Sequence, residues 1–475
     1  MKTTPTTQPT RPGGAAGDTL VVVPSISFPV AELRKIAAVQ SYEERMLFLL
    51  LLLVEPAMRI VYVTSEAVDP ATIAYYLRFL PDPDDARRRL ALVDVGDPSI
   101  GSLSEKLLSR PPHLDRLREV VAGLPAGGGV LPFNVTRAEQ AVADALGLPL
   151  YGPRPELVWL GSKSGSRQVA MEARVPVLPG TEDVFSLSEL AKAVAALRSS
   201  RPEATAVVAK LNNGFSGQGN AIIELDGLSD VPSGADLRAS TTVFCAADES
   251  WPSFEATLED EGGIVEEVVR SEGLRSPSVQ LQISPTGRVE VLSTHDQILG
   301  GPGNQVYIGC RFPARAEYRL AIQAEACKVG AVLAGRGITG VFAIDFLVDG
   351  DSITLSEINL RMGGTTHPFW MARLATGGAY GQASGELVVP AGGSRCYVAT
   401  DNLKSAQLVG RRPADVIGRI DDAGLAYDPS TATGVTLHLL GALPLAGKMG
   451  VSCIAPTPEE ADELYRRVLI ALDAR

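Results

Sequence analysis

The sequence predicts an α/β protein with several domains. At 475 residues, the chain exceeds the roughly 100 to 200 residues of one ordinary domain. Short apolar runs alternate with helical stretches from Thr19 to about Gly152, which favours an open sheet of mainly parallel strands. Further along, apolar runs flank a glycine-rich loop and an Asp-Gly turn, and such pairs are typical of antiparallel strands.

Bulk composition indicates a soluble, folded, cytoplasmic protein, with 45% hydrophobic and 21% charged residues. The net charge of −12 argues against nucleic acid or an anionic membrane as the main partner, because both select basic surfaces. The most hydrophobic run, Met46 to Val54, is too short for the roughly 20 residues of a membrane helix, so we expect a buried core helix. The five widely spaced cysteines indicate reduced thiols.

Shifts in composition divide the chain into five regions. Residues 1–18 are polar, rich in Thr, Pro and Gly, and lack the apolar core of a signal peptide, so a disordered tail without an export signal is predicted. The other regions are an N-terminal open α/β domain (19–155), a segment with a glycine-rich loop (156–265), a segment with the Asp-Gly hairpin (266–385), and a small C-terminal α+β extension (386–475).

The elements of the N-terminal domain follow from local patterns. An Asp69-Pro70 start precedes a helix from Ala71 to Leu80, and Thr136 with Glu139 forms a capping box. The predicted strands are apolar runs at Thr19 to Pro24, Arg59 to Thr64, Leu90 to Val95 and Val130 to Val135.

The next segment begins after the proline-rich connection Pro149 to Pro155. A strand from Ala204 to Leu211, the loop Asn212 to Asn220 and a strand from Ala221 to Leu225 give the order strand, loop, strand. This order differs from the strand, loop, helix order of a dinucleotide fold. Helices are predicted before these strands, at Ser162 to Ala173 and Ser188 to Leu197.

The third and fourth segments contain more strands. Asp349-Gly350 between two apolar runs is a strong hairpin signal. Strands are predicted at Gly263 to Val268, Ser278 to Ser284, Val289 to Thr294, Gly340 to Val348 and Ser352 to Leu360, with a helix from Arg315 to Gly335. The C-terminal extension has strands at Cys396 to Thr400 and Gly434 to Leu440, and helices at Ala414 to Ala423 and Pro458 to Ala474.

The hairpin carries the most specific pattern for chemistry. Alternation puts Glu357, Asn359 and Arg361 on one face of a strand, with Asp345 near them on its neighbour. Carboxylate and amide oxygens suit Mg²⁺ that bridges nucleotide phosphates, and a guanidinium can clamp a phosphate. The alternative is that they are ordinary polar residues on an exposed hairpin, but four in this arrangement favour the site.

The run GVFAIDFLVDGDSITLSEINLRMGG resembles the metal-binding hairpin of the ATP-grasp superfamily. The resemblance to this superfamily covers residues 155 to 385 in all. The resemblance implies that ATP is bound with two Mg²⁺ ions, which Mn²⁺ can replace, and that Asp345, Glu357 and Asn359 hold the metal. It also implies that residues 156–265 form the lid and 266–385 the metal- and phosphate-binding region.

The same resemblance assigns the nucleotide contacts. Lys163 and Lys210 match the two lysines that contact ATP, although Lys210 is followed by Leu where Pro is commoner. The loop after Lys210 would close over the phosphates, where glycine allows close approach of backbone N–H groups, although alone it is more typical of a hairpin turn. The loop residues implicated are Gly214, Ser216, Gly217 and Gly219.

The segment IVEEVV resembles the adenine hinge of the superfamily. The side chain of Glu266, or the main chain near it, would meet the adenine amino group, and Val269 would offer its backbone. Glu267 belongs to the same hinge on the opposite face of the strand, and Glu272 is the nearest acid for the ribose.

Catalytic roles are assigned to Arg361 and Lys210, and also to Arg311 and His367, which lie near the expected acyl-acceptor region. A structural role is the alternative for the histidine.

The resemblance, which is strongest to peptide ligases of the pheganomycin type, implies an enzyme of antibiotic biosynthesis. ATP would phosphorylate a small carboxylic acid, such as a guanidino-phenylglycine, and the amine of a peptide N-terminus would attack to give an amide, ADP and phosphate. A small-molecule ligase or carboxylase, and an inactive ATP-binding regulatory module, are the alternatives. A homodimer is one option for the assembly.

Overall fold

The structure is a computed structural model that describes residues 11–12, 17–125, 127–214, 218–246, 249–301, 303 and 306–474. Most of the predicted N-terminal tail lies outside these residues. In the described part of the chain, no helix combines the length and the apolar character that a bilayer crossing needs. Secondary structure is mixed, with three sheets and helices packed against them.

The N-terminal domain contains a four-stranded parallel sheet, which confirms the predicted open α/β arrangement. In spatial order β3-β2-β1-β4, its strands are β1 (Thr19–Val23), β2 (Arg59–Thr64), β3 (Leu90–Asp94) and β4 (Gly128–Pro132). The helices are α1 (Val30–Leu33), α2 (Pro70–Leu77), α3 (Pro83–Arg88), α4 (Leu103–Ser109), α5 (Pro111–Ala122) and α6 (Arg137–Leu146).

Two local predictions in this domain are confirmed. The capping box of Thr136 and Glu139 is present at the start of α6. The run Met46 to Val54 is buried up to Leu53, and it forms part of a 3₁₀-helix over Val39–Val54 instead of an α-helix.

A second sheet, of five antiparallel strands, carries the glycine-rich loop. Its strands, in spatial order β5-β9-β6-β7-β8, are β5 (Gly180–Val184), β6 (Ala206–Leu211), β7 (Asn220–Glu224), β8 (Thr242–Phe244) and β9 (Gly263–Glu267). A 3₁₀-helix (Pro155–Gly161) and α7 (Lys163–Glu172) precede it. The helices α8 (Leu187–Ser200), α9 (Gly234–Ala239) and α10 (Trp251–Glu261) share one apolar core with the sheet.

The third sheet has ten strands and holds the Asp-Gly hairpin at one edge. Its members are β10 (Pro277–Ile283), β11 (Val289–Gly300), β12 (Val306–Phe312), β13 (Gly340–Asp349), β14 (Ser352–Asn359), β15 (Ala379–Gly381), β16 (Glu386–Val388), β17 (Ser394–Lys404), β18 (Gly434–His438) and β19 (Lys448–Ala455). The main path runs β14-β13-β10-β11-β12-β17-β16-β15, and β19 joins β17 to β18. Two helices, α11 (Arg319–Gly335) and α12 (Thr366–Thr376), lie between its strands in sequence.

The last ninety residues are α+β, and their strands continue this third sheet. Strand β17 pairs with β12, so the C-terminal region shares hydrogen bonds with the hairpin's sheet. The backbone of Leu437 also contacts the N-terminal domain, since its N–H donates to the Tyr75 hydroxyl (2.8 Å) and its carbonyl accepts from the Tyr76 hydroxyl (3.2 Å). The helices here are α13 (Pro413–Asp422), α14 (Leu443–Ala446) and α15 (Pro458–Ala471), with 3₁₀-turns at Ala406–Leu408 and Leu440–Ala442.

Candidate active site

The predicted hairpin is present, and its register brings the candidate metal ligands together. Asp345 on β13 lies directly opposite Glu357 on β14, and the register shifts immediately after Asp345. The Asn359 side-chain amide donates to Asp345 Oδ2 (3.1 Å) and to Glu357 Oε1 (2.8 Å). One amide nitrogen therefore bridges two carboxylates, so the three side chains converge on one point.

This donor set fits a hard cation. Mg²⁺ takes oxygen ligands and usually keeps several positions for water and for substrate phosphates. Asp345 and Glu357 offer two carboxylates, and the amide of Asn359 can present its oxygen in place of its nitrogen. Among the described residues, no group of three or more His, Cys, Asp and Glu side chains could hold a metal by itself. Water and phosphate oxygens are the ligands that usually complete such a coordination sphere.

Lys163 reaches the same point from the start of α7. Ser162 caps this helix by accepting from the backbone N–H of Gly165 (3.0 Å), and Lys163 forms an ion pair with Glu357. Burial lowers the pKa of Lys163 to about 7, with the neighbouring cations Lys210 and Arg361 acting in the same direction. Burial and the neighbouring cations both destabilise the charged form of Lys163, so a bound anion such as a phosphate would stabilise it.

A buried hydrogen bond fixes α7 on the hairpin. The backbone N–H of Ile358 donates to Ser166 Oγ over 2.9 Å, and both residues are fully buried. The position of Lys163 relative to Glu357 is therefore set by the packing of one helix against one strand.

Lys210 lies on β6 and meets Glu266 on β9. Its ammonium donates to Glu266 Oε2 (2.9 Å), while Arg167 donates to Glu266 Oε1 (2.6 Å). The Glu266 side chain is 1% exposed. Its carboxylate is thus committed to two cations, and any adenine contact at this position is left to the nearby main chain, which was one of the two options predicted.

The remaining hinge residues face the cleft between the sheets. Glu267, Val269 and Glu272 all line it. The Glu267 carboxylate also pairs with Arg201 (3.1 Å). The structure therefore places Glu267, Val269 and Glu272 along the cleft, whereas the Glu266 carboxylate is buried.

The glycine-rich loop connects β6 to β7 beside the cleft. Gly214 lines the cleft, and a Cβ there would lie 2.3 Å from the carbonyl oxygen of Gln218. Gly219 has a φ of +75°, which favours glycine. Ser216 and Gly217, also predicted to contact phosphates, lie outside the described residues.

Arg361 follows β14 and lines the cleft. Its guanidinium lies over the ring of Phe28, 5.8 Å from the centroid. Burial lowers the pKa of Arg361 to about 10, which Asp345 opposes and Arg45 reinforces, so the group stays charged at neutral pH.

Two residues predicted to be catalytic lie elsewhere. Arg311, on β12, pairs with Asp462 of α15 (2.6 Å) and is absent from the cleft lining. His367 is 1% exposed, and its Nε2 atom lies 2.7 Å from Asp401 Oδ1. Direct substrate contact is not supported for either side chain in this arrangement, because one is paired with a neighbouring helix and the other is buried. His367 instead positions Asp401.

Sequence reasoning missed the opposite end of the cleft. Asp401 lines it and accepts from Arg45 (3.0 Å) as well as from His367. Burial alone would raise the pKa of Asp401, but His367 and Arg45 together lower it below its usual range. Lys404 and Lys448 also line this end. Arg45 and Asp401 are 356 positions apart, and no local pattern in the sequence links them.

The cleft that joins these parts has a volume of about 1560 Å³. Its walls come from the N-terminal domain, the glycine-loop sheet and the ten-stranded sheet. It is large enough for a nucleotide together with further substrates, since ligand sites commonly measure about 300 to 1,000 Å³.

Two protein-family models and a relative match this chain. A model of the ATP-grasp domain of IQCH-like proteins matches residues 155–242 and 230–357, and a model of the PGM1 C-terminal domain matches residues 415–468. The L-propargylglycine–L-glutamate ligase of Streptantibioticus cattleyicolor is 33% identical over 467 residues, covering 96% of this chain and 94% of that ligase.

Solved structures share the fold at low sequence identity. A complex of biotin carboxylase from Campylobacter jejuni with β,γ-ATP has a TM-score of 0.59 at 15% identity, covering 96% of this chain and 91% of the other. Carboxyaminoimidazole ribonucleotide synthase from Aspergillus clavatus, complexed with ATP, has a TM-score of 0.52 at 14% identity, covering 96% and 98%.

The relationship to the ligase extends over nearly the whole of both chains, and the ATP-grasp match contains the lysines, the hinge and most of the hairpin. The chain belongs to the ATP-grasp family of carboxylate–amine ligases, which form C–N bonds with ATP.

Proposed function

We propose that this ligase activates the carboxylate of a small acid as an acyl phosphate and joins it to the amino group of an amino acid or a peptide. One observation carries the proposal: Asp345, Glu357 and Asn359 converge with Lys163 in a cleft that Lys210 also lines. This arrangement concentrates metal ligands and cations where a triphosphate and a carboxylate must approach each other.

The two carboxylates and the amide would hold Mg²⁺, two ions in this proposal, with Mn²⁺ as a substitute. The metal, when bound, neutralises charge on the phosphates and on the transferred phosphoryl group. Lys163 and Lys210 would bind phosphate oxygens. Arg361 would orient the acid beside the phosphate, because a guanidinium binds carboxylate or phosphate through two parallel hydrogen bonds.

The reaction balances without a nucleophile from the protein. An oxygen of the acid attacks the γ-phosphorus of ATP, the bond to the β-phosphate oxygen breaks, and ADP leaves. The amine nitrogen then attacks the acyl carbon, the C–O bond to phosphate breaks, and the products are an amide, inorganic phosphate and a proton. Catalysis in this scheme comes from positioning and charge neutralisation.

The named substrates of the relative support small amino acids as the reactants, because that ligase joins L-propargylglycine and L-glutamate. A peptide N-terminus as the amine, a guanidino-phenylglycine as the acid, and a role in peptide natural-product biosynthesis are further parts of the proposal. The open cleft, with walls from three parts of the chain, supports an acceptor longer than one residue.

The test is to incubate the protein with ATP, Mg²⁺ and a panel of amino acids and short peptides, offered as acids and as amines. ADP would be measured by chromatography and amides by mass spectrometry. Amide formed in a 1:1 ratio to ADP is the expected result. ADP without any adduct would contradict the ligase assignment for this panel, and AMP would contradict an acyl phosphate.

A further inference from the structure

The end of the cleft formed by the N-terminal domain and the C-terminal strands is strongly cationic. Its charged lining consists of four cations and one carboxylate, namely Lys35, Arg45, Lys404, Lys448 and Asp401, and Lys35 also pairs with Glu32 (2.9 Å). The protein as a whole carries a net charge of −12. A cationic surface within an acidic protein concentrates the opposite charge, so this end selects an anionic group.

Two of the cations face each other across paired strands. Lys404 on β17 and Lys448 on β19 are direct cross-strand partners. Like charges placed directly opposite on a sheet are destabilising. Within the part of the chain that the structure describes, neither lysine has a carboxylate within 4 Å. An anion that binds between them removes this repulsion.

Lys448 is also held in an enclosed position. Its side chain is 7% exposed, hydrogen bonds to the hydroxyl of Tyr42 and lies 4.9 Å from the centroid of that ring. Arg45 lies over the same ring, 4.6 Å from the centroid. Burial lowers the pKa of Lys448 to about 8. Two cations therefore lie within 5 Å of the centroid of one aromatic ring, and one of them, Arg45, is bonded to the carboxylate of Asp401.

We propose that Arg45, Lys404 and Lys448 bind a carboxylate of an amino-acid substrate that takes no part in the reaction. The inference rests on the proposed ligase function and specifies its substrate class, an amino acid with a free carboxylate besides any carboxylate that is activated. An ester, a carboxamide or a substrate with a cationic guanidino group at this position lacks the charge that the three side chains require.

The non-reacting carboxylate can come from the amine substrate or from the acid, and two arms of one experiment separate these sources. In the first arm, an amino acid and its α-carboxamide are compared as amine substrates. In the second arm, L-glutamate and L-isoglutamine are compared as acids, since both keep the side-chain carboxylate and only L-glutamate keeps the α-carboxylate. We expect at least a tenfold loss of kcat/KM in one arm, and equal rates in both arms would overturn the proposal.

Substitutions of Lys404 and Lys448 test whether these side chains bind the non-reacting carboxylate. Lys448→Met and Lys404→Gln should each raise the KM of the sensitive substrate at least tenfold, with the KM of ATP changed less than twofold, and Lys448→Arg should recover part of the loss. Lys192→Met, on the exposed face of α8, is the matched control with no expected effect. Thermal melting checks folding, and the exposed Lys404 keeps the test valid if the buried Lys448 variant unfolds. Unchanged KM values in both lysine variants would overturn the proposal.

Failure of the ligase function gives a different result. In that case the wild type makes no amide from any pair of substrates. The subsite is then measured by calorimetric titration of L-glutamate into the wild type, Lys404→Gln and Lys448→Met. Weaker binding in the two variants supports the subsite without the ligase chemistry, and equal or absent binding in all three proteins overturns the subsite.

Discussion

Glu266 is the buried counter-charge of two cations, so Glu266→Gln should destabilise the sheet that carries the glycine-rich loop. Its carboxylate accepts from Lys210 at 2.9 Å and from Arg167 at 2.6 Å, and its side chain is 1% exposed. The substitution keeps the size and one acceptor oxygen but removes the charge. Lys210 then lacks a carboxylate partner, because Glu266 is the only one it has among the described residues.

The size of the loss in unfolding free energy depends on which partners Lys210 and Arg167 keep in the variant. Removing one partner of a buried ion pair costs about 3 to 5 kcal/mol. Arg167 keeps Glu182 (3.0 Å) and the carbonyl of Leu178 (2.9 Å), so the uncompensated charge is mainly that of Lys210. We therefore expect the lower end of the range, a loss of about 3 kcal/mol in the free energy of unfolding.

The assay is urea unfolding followed by circular dichroism and by tryptophan fluorescence. Glu182→Gln is the matched control, since it removes the other carboxylate that pairs with Arg167. The Glu182 side chain is 26% exposed. Water reaches the Glu182 carboxylate and Arg167 keeps Glu266, so the control should lose less, about 1 kcal/mol. Equal losses in the Glu266 and Glu182 variants would refute the reasoning that burial makes the Glu266 carboxylate essential.

Three further predictions concern the hairpin and the core. Glu357→Gln should lower kcat/KM at least about 100-fold in a coupled ADP assay, because a lost metal ligand removes several kcal/mol of charge stabilisation. It should also lower the melting temperature, because the buried Lys163 loses its carboxylate partner. Asp351→Asn, on the exposed turn of the hairpin, should leave both unchanged. Ser166→Ala should cost about 1 to 3 kcal/mol in urea unfolding, because the buried N–H of Ile358 loses its acceptor; a smaller loss would contradict this. Burial lowers the pKa of His295 from about 6.5 to about 3. As pH drops through this range, the unfolded chain protonates this histidine and the folded protein does not, so the free energy of unfolding falls. His295→Asn should reduce the slope of unfolding free energy against pH by up to about 1.4 kcal/mol per pH unit, and an unchanged slope would contradict a neutral buried histidine.

The hairpin was predictable because its signals are local. An Asp-Gly turn fixes the pairing of two strands, and alternation then fixes which side chains share a face. Asp345 and Glu357 are indeed direct cross-strand partners. The nucleotide lysines were placed by resemblance, and the structure puts Lys163 beside Glu357 through the packing of α7.

The cationic end of the cleft was not predictable from local patterns. The ion pair of Arg45 with Asp401 joins residues 356 positions apart, and the partnership of Lys404 with Lys448 depends on how β17 pairs with β19. Strand alternation says which side chains share a face but leaves the neighbouring strand open. The contact of Arg45 with Asp401 exists only once the N-terminal domain and the C-terminal strands have packed together.

Local patterns also failed to predict two strands of the third sheet. β12 (Val306–Phe312) and β19 (Lys448–Ala455) were not among the predicted strands, and glycines at 309 and 450 interrupt their apolar patterns. A Cβ at Gly309 would lie 2.4 Å from the carbonyl oxygen of Ala399 on β17, so the close approach of the two backbones requires glycine there. A residue that weakens the strand signal in the sequence thus makes the strand pairing possible.

The most direct test of an acyl phosphate is the fate of the carboxylate oxygen. The acid is labelled with ¹⁸O in the carboxylate that reacts, the amide-forming reaction is run with ATP and Mg²⁺, and the inorganic phosphate is analysed by mass spectrometry. One ¹⁸O atom in the phosphate for each amide formed is the predicted result, because the C–O bond to the transferred phosphoryl group breaks when the amine attacks. Unlabelled phosphate alongside labelled amide would contradict the mechanism.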